Sequence, residues 1–278
     1  MSSRYLKLGL IGSSLAHSKS PEIHMAGLNY LGIEGEYVKF EIDPSNFESK
    51  VNILASQLDG LNVTIPYKET MLKYLNHQDE LVTKIGATNT LAMKDSQIHG
   101  FNTDYWGFMK SLENFDLKDK SASILGAGGA SRALIIALND MGLSEINVYV
   151  RNVHKVEGTL PKIQEAKLNL ELYSEDLELN HSAIIINATP VGQGRLSNLM
   201  PITIPQLELL REGTIVYDLI YQNTLMLQEA GKCKLHTING SEMLILQAVK
   251  SLAIWTGAEI TDGLVDAMRQ GFHNKAAV

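Results

Sequence analysis

The chain of 278 residues contains no run of about eighteen apolar residues, so no membrane-spanning helix is expected. Residues Met1 to Lys7 lack the long apolar stretch of a signal peptide. A single cysteine, Cys233, excludes an intramolecular disulfide and fits a reducing compartment. On its own it reads as an ordinary small apolar residue. No Pro/Gly/Ser-rich linker, repeat or low-complexity tract interrupts the chain. No group of side chains has metal-ligand spacing, so no metal is expected, and no Gly-x-Ser-x-Gly elbow is present. The formal net charge of -7 argues against nucleic acid or an anionic membrane as partner. A small anion remains compatible, because a pocket can be basic while the surface is not. These absences point to a soluble, cytoplasmic protein.

What is present is a regular alternation. With 45% hydrophobic residues the chain can bury a large core in one or two domains. Apolar runs at Tyr5 to Ile11, Glu36 to Glu41 and Gly60 to Val63 read as strands, each followed by a stretch that could be helical. That order predicts βαβ units and a mostly parallel sheet. A second series starts at Ser121 to Leu125, passes through the glycine-rich Gly126-Ala127-Gly128-Gly129-Ala130 and continues as a helix over Ser131 to Met141. Strands are expected again at Glu145 to Val150, Ala183 to Asn187 and Thr214 to Asp218. Ser241 to Trp255 and Asp262 to Phe272 have helical spacing. The expected division is residues 1–102 plus 240–278 in one domain and 103–239 in the other, with ligands in a cleft between them.

The glycine-rich turn carries a specific chemistry. Glycines allow a tight turn and close backbone approach to a pyrophosphate, and the following helix offers N–H groups and a positive dipole end. The third glycine of the usual fingerprint falls on Ser131, so a tight turn without a ligand is an even alternative on the glycines alone. The next strand ends Val148-Tyr149-Val150-Arg151, with Asn152 and Lys155 beyond. An NAD enzyme places a carboxylate there for the ribose hydroxyl. Here a guanidinium stands in its place and suits a 2′-phosphate, which predicts NADP over NAD. The plainer alternative is a solvated surface arginine.

Three polar segments precede that turn: Ala16 to Pro21, Asn62 to Glu69, and Gly86 to Asn89 with Gly100 to Asp104. Ser18 and Ser20 can both donate to and accept from a carboxylate or hydroxyl. Asn62 and Thr64 share one face of an extended strand. Each has a plainer explanation: Ser20 before Pro21 can start a helix, Asp104 can cap one, and Lys68 can be a surface lysine. His17 and His24 read as structural. Spacing alone does not join the segments.

Taken in order, the segments resemble the shikimate/quinate dehydrogenase family. The matching pieces are Ala16 to Pro21, Asn62 to Glu69, Gly86 to Leu91, Gly100 to Phe108, Gly126 to Ala130, Ile186 to Pro190, Tyr217 to Tyr221 and Asn239 to Trp255. The resemblance implies an α/β fold with an N-terminal α/β substrate domain and a Rossmann-type NADP-binding domain. It implies reversible NADPH-dependent reduction of 3-dehydroshikimate to shikimate in aromatic amino acid biosynthesis, by a monomer or homodimer. Lys68 and Asp104 would be the catalytic pair. Ser18, Ser20, Asn62, Thr64, Asn89, Tyr221 and Gln247 would hold the substrate. Gly126, Ala127, Gly128, Gly129, Ala130, Val150, Arg151, Asn152, Lys155, Leu219 and Gly240 would hold NADP, with Glu80 a further cofactor contact. The chain departs from the family where Val150-Arg151-Asn152 replaces Asn-Arg-Thr and where Gln193 replaces a common methionine. Competing readings are a dehydrogenase that also takes quinate and a non-catalytic NADP-binding regulatory module.

Overall fold

A computed structural model describes residues 5–174 and 176–274. The chain forms two compact units, Met1–Gly107 with Ile245–Val278, and Phe108–Leu244. The first begins with β1 (Leu6–Gly12), α1 (Ser20–Tyr30), β2 (Gly35–Glu41), α2 (Phe47–Gln57) and β3 (Gly60–Val63). Then come the short β4 (His77–Gln78), α3 (Glu80–Ile85), β5 (Thr90–Lys94), β6 (Gln97–Phe101) and α4 (Thr103–Ser111). The second unit holds β7 (Ser121–Leu125), α5 (Gly129–Asp140), β8 (Glu145–Val150), β9 (Lys167–Leu172) and β10 (Ile184–Asn187). It continues with α6 (Ile204–Glu208), β11 (Ile215–Asp218), α7 (Leu225–Lys232) and β12 (His236–Asn239). Helices α8 (Ser241–Thr256) and α9 (Asp262–His273) follow, and the two changes of unit fall within α4 and α8.

The first sheet has the order β2-β1-β3-β5-β6-β4. Strands β1, β2 and β3 are parallel, as the alternation predicts, but β5 pairs antiparallel with both β3 and β6. The stretch after β3 is not an α-helix. Pro66 lacks a backbone donor, and the chain turns into a short 3-10 segment, Thr70–Tyr74. The β5–β6 hairpin that follows turns at Asp95 and Ser96, both with positive φ. Ile11, Phe47, Val51, Leu54, Leu61, Val63, Tyr67 and Leu91 fill the core between this sheet and α2.

The second sheet is parallel throughout, in the order β12-β11-β10-β7-β8-β9. With β7 counted as first, this is the 3-2-1-4-5-6 order of a doubly wound dinucleotide-binding fold. Every residue of β10 and β11 is buried, as expected of parallel strands covered on both faces. Among the described residues no helix is long and apolar enough to cross a membrane.

His24 occupies an unusual place in the first core. It is fully buried and stacks on Tyr37, with ring centroids 4.4 Å apart and planes 8° from parallel. Among the described residues neither ring nitrogen has a hydrogen-bond partner of normal geometry. Burial lowers its pKa from 6.5 to about 3, opposed slightly by the nearby Asn62 amide. The folded state thus refuses a proton that the unfolded state accepts. The resulting stability is fully present above pH 6.5 and is lost as pH falls toward 3. His24→Phe keeps the stack and removes this titration. It should reduce the acid-side slope of unfolding free energy by up to about 1.4 kcal/mol per pH unit in this window. Urea melts from pH 7 to pH 4 measure it, and equal slopes in the two proteins would discard the assignment.

Candidate active site

In the first unit the site is built from strand ends and helix starts. Lys68 follows β3 and Asp104 sits in the first turn of α4. Thirty-six residues apart, they form an ion pair between Nζ and Oδ2, with side chains only 13% and 8% exposed. Asp104 is available for this because Asn102 caps the helix, its Oδ1 accepting from the Tyr105 N–H. Removing two charges from water costs more than such a pair usually returns, so a buried pair is better explained by chemistry than by stability.

Asn89 sets the geometry of that carboxylate. Its Oδ1 accepts the Thr103 backbone N–H at 2.7 Å, which fixes the amide orientation and turns Nδ2 toward Asp104 Oδ1, 2.8 Å away. The same nitrogen lies 2.9 Å from Thr103 Oγ1 and 3.3 Å from Gln247 Oε1. Gln247 comes from α8, so Lys68, Asp104, Asn89 and Gln247 form one connected group.

Asn62 is joined to the group from below. Its Oδ1 accepts from the Tyr37 hydroxyl at 2.8 Å. Its two amide hydrogens face three acceptors, Asn89 O, Thr90 Oγ1 and Ser251 Oγ, at 3.0–3.1 Å. Ser18 and Ser20 lie together where α1 begins, with hydroxyls 3.2 Å apart. Pro21 occupies the first turn, so Ser20 also has the helix-starting position its sequence suggests. Thr64 is half-buried just past β3. Glu80 stands apart: it is exposed on α3 and pairs with Lys84 at 2.6 Å, which holds its carboxyl below the usual range.

Sequence reasoning missed Thr90, Thr103, Ser251 and Tyr37, which hold the group in place. Ser251 offered a signal, since it lies four residues after Gln247 and therefore on the same helix face.

In the second unit, Gly126 leaves β7 with φ +101, a conformation that favours glycine, and its N–H donates to Tyr149 O at the end of β8. Gly126, Ala127, Gly128, Gly129 and Ala130 thus form the turn into α5. A Cβ at Gly128 would meet nothing within 4 Å, so the turn borders open space. Among the described residues the Ser131 hydroxyl, in the first turn of α5, is buried without a hydrogen-bond partner. Val150 ends β8, and Arg151 and Lys155 are exposed beyond it, with Asn152 Oδ1 accepting the Lys155 N–H at 3.2 Å. No carboxylate ends this strand. The donors present therefore fit a dinucleotide with an extra phosphate. Leu219 and half-buried Tyr221 follow β11. Gly240 lies against them, its N–H donating to Ile220 O, and a Cβ there would collide with the Leu219 carbonyl.

Comparison with known proteins gives the chain's relatives. A sequence profile described as the shikimate dehydrogenase substrate binding domain matches residues 10–91. The shikimate dehydrogenase (NADP(+)) of Methanothermobacter thermautotrophicus is 36% identical over 94% of this chain and 95% of its own length. The crystal structure of shikimate dehydrogenase from Aquifex aeolicus superposes with a TM-score of 0.87 at 28% identity, covering 99% of this chain and all of that one. Shikimate 5-dehydrogenase from Thermus thermophilus, solved in complex with NADP(H) and shikimate, gives a TM-score of 0.80 at 29% identity, covering 96% and 99%.

The Asn89 geometry can be tested by stability alone. Asn89→Ala leaves the Thr103 N–H buried without a partner and should cost about 1–3 kcal/mol in urea denaturation. A change well under 1 kcal/mol would show that Asn89 does not hold the start of α4.

Proposed function

Because the chain belongs to the shikimate dehydrogenase family, we propose that it interconverts 3-dehydroshikimate and shikimate with NADP(H). The observation that supports this most directly is the buried Lys68–Asp104 pair, tied through Asn89 to Gln247. NADP(H), when bound, supplies or accepts the reducing equivalent at the substrate carbon.

The protein's own groups manage the proton. In reduction the Lys68 ammonium gives a proton to the developing alkoxide; in oxidation the neutral amine removes it from the hydroxyl. Asp104 Oδ2 orients the ammonium, while Asn89 holds Oδ1 and keeps the carboxylate from rotating. Ser18 and Ser20 offer hydroxyls to the substrate carboxylate. Asn89, Asp104, Gln247, Thr64 and Tyr221 are the proposed partners of the ring hydroxyls. Asn62 can join them because three acceptors already share its two amide hydrogens, so one acceptor can be exchanged. Gly126 to Ala130 and the start of α5 would hold the pyrophosphate. Arg151, with Val150, Asn152 and Lys155, would hold the 2′-phosphate, with Leu219 and Gly240 beside them. Glu80 is the remaining proposed cofactor contact. Neither nucleic acid nor a membrane enters this reading.

The direct test is the change in cofactor absorbance with shikimate and NADP+, with quinate as the competing substrate. Turnover of shikimate is expected, and no turnover of either acid would overturn the reading. Lys68→Ala should fold normally and lose about a hundredfold or more in kcat. Near-normal turnover in that variant removes Lys68 from the chemistry. Arg151→Ala should raise KM for NADP+ by about tenfold or more while changing KM for NAD+ little. Equal effects on both cofactors would show that Arg151 does not recognise the phosphate.

A further inference from the structure

Two polar residues in the second unit have no part in the reaction proposed above. Strands β10 and β11 are short apolar runs, Ile184-Ile185-Ile186 and Ile215-Val216-Tyr217, and each ends in a polar residue, Asn187 and Asp218. The two are register partners on adjacent parallel strands, and both are fully buried. Asp218 has no cationic partner among the described residues. Its carboxylate is satisfied by three neutral donors: the Ile220 N–H and Asn187 Nδ2 on Oδ1, each at 3.0 Å, and the Thr224 hydroxyl on Oδ2 at 2.8 Å. Burial pushes its pKa above the usual carboxylate range. A bare buried acid is a costly way to gain stability, since an apolar residue would avoid its desolvation.

What the acid secures is backbone position. The Ile220 N–H closes a tight turn on Asp218 Oδ1, and the Leu219 N–H donates to Asn187 O. The segment from Leu219 to Thr224 is thereby held at both ends. Asn187 does the same for the neighbouring loop. Its Oδ1 accepts from the Thr189 N–H and hydroxyl, and its Nδ2 donates to Val191 O. That loop backs the glycine-rich turn: a Cβ on Gly126 would lie 3.0 Å from Thr189 and 3.1 Å from Ala188 O. One buried pair therefore joins two loops at the carboxyl ends of the strands, where open parallel sheets bind their ligands.

We propose that Asp218 is a positioning residue which, with Asn187, locks the Leu219–Thr224 segment and the Ala188–Val191 loop in the arrangement that binds NADP. This rests on the cofactor reading above. The lock acts through hydrogen-bonded geometry and touches no ligand itself.

The test uses the full chain and measures NADP+ binding by titration calorimetry, with melting temperature read in parallel. Asp218→Ala should weaken NADP+ binding by about tenfold, because three buried donors lose their acceptor. Asp218→Asn keeps the shape and the Oδ1 acceptor, and the Thr224 hydroxyl can accept from the new amide. It should restore binding to within about threefold of the starting protein. If Asp218→Ala does not fold, Thr224→Val, which removes one donor to Asp218 together with the side-chain cap of α7, serves in its place and should weaken binding by about threefold or more. A folded Asp218→Ala that melts earlier but binds NADP+ normally would overturn the lock and leave a structural role. So would Asp218→Asn as impaired as Asp218→Ala, or an unaffected Thr224→Val where that variant stands in. A starting protein that binds no NADP+ at all would instead overturn the cofactor reading.

Discussion

The side-chain amide of Asn89 can be seated in only one way. Its oxygen takes the backbone N–H of Thr103, so its nitrogen must face Asp104 and Gln247. The seating of Asp104 follows from that orientation. Asp104 has one oxygen held, which leaves the other for Lys68. Helix α4 cannot use Asp104 as its cap and uses Asn102 instead. The elements converging here are a strand end, a helix start and the middle of a helix from the far end of the sequence. Rigid elements place such side chains more accurately than mobile loops do. Both side chains of the ion pair are largely shielded from water, a setting in which desolvation offsets much of the attraction between the two charges.

The second unit applies the same principle with different residues. Its strands run apolar until their last position and then present a polar side chain, Asn187 on β10 and Asp218 on β11. Parallel strands bring those last positions to one edge of the sheet, and the glycine-rich turn after β7 lies at that same edge. A polar end on a buried strand must be satisfied locally, and the loops that satisfy it become ordered in the process.

Much of this was legible in the amino-acid order. The strands of the second unit stand out because burial on both faces produces short, uninterrupted apolar runs, and a glycine-rich turn marks where the first one ends. The β5–β6 hairpin was not visible, because its turn uses Asp95 and Ser96 at positive φ, where glycine or asparagine is the usual signal. Strand β9 was missed for another reason. It is an edge strand with one polar face, and its Asn169 pairs with Asn147 of β8 instead of filling a core. In the site, Lys68 and Asp104 could be named only through resemblance, since no spacing rule joins residues so far apart in sequence. Thr90 and Thr103 remained hidden because a buried hydroxyl has no sequence signature of its own, whereas Ser251 shared a helix face with Gln247.

Segment order adds a consequence for biogenesis. The first unit draws on residues up to Gly107 and again on residues from Ile245 onward. Gln247 and Ser251 belong to its polar group, and α9 packs on α1. During synthesis the early part of that unit therefore waits, with an uncovered apolar surface around α1, until the whole second unit has left the ribosome. The second unit is continuous in sequence and can close without that delay. Nascent chains stalled before α8 should thus be the species that most need a chaperone.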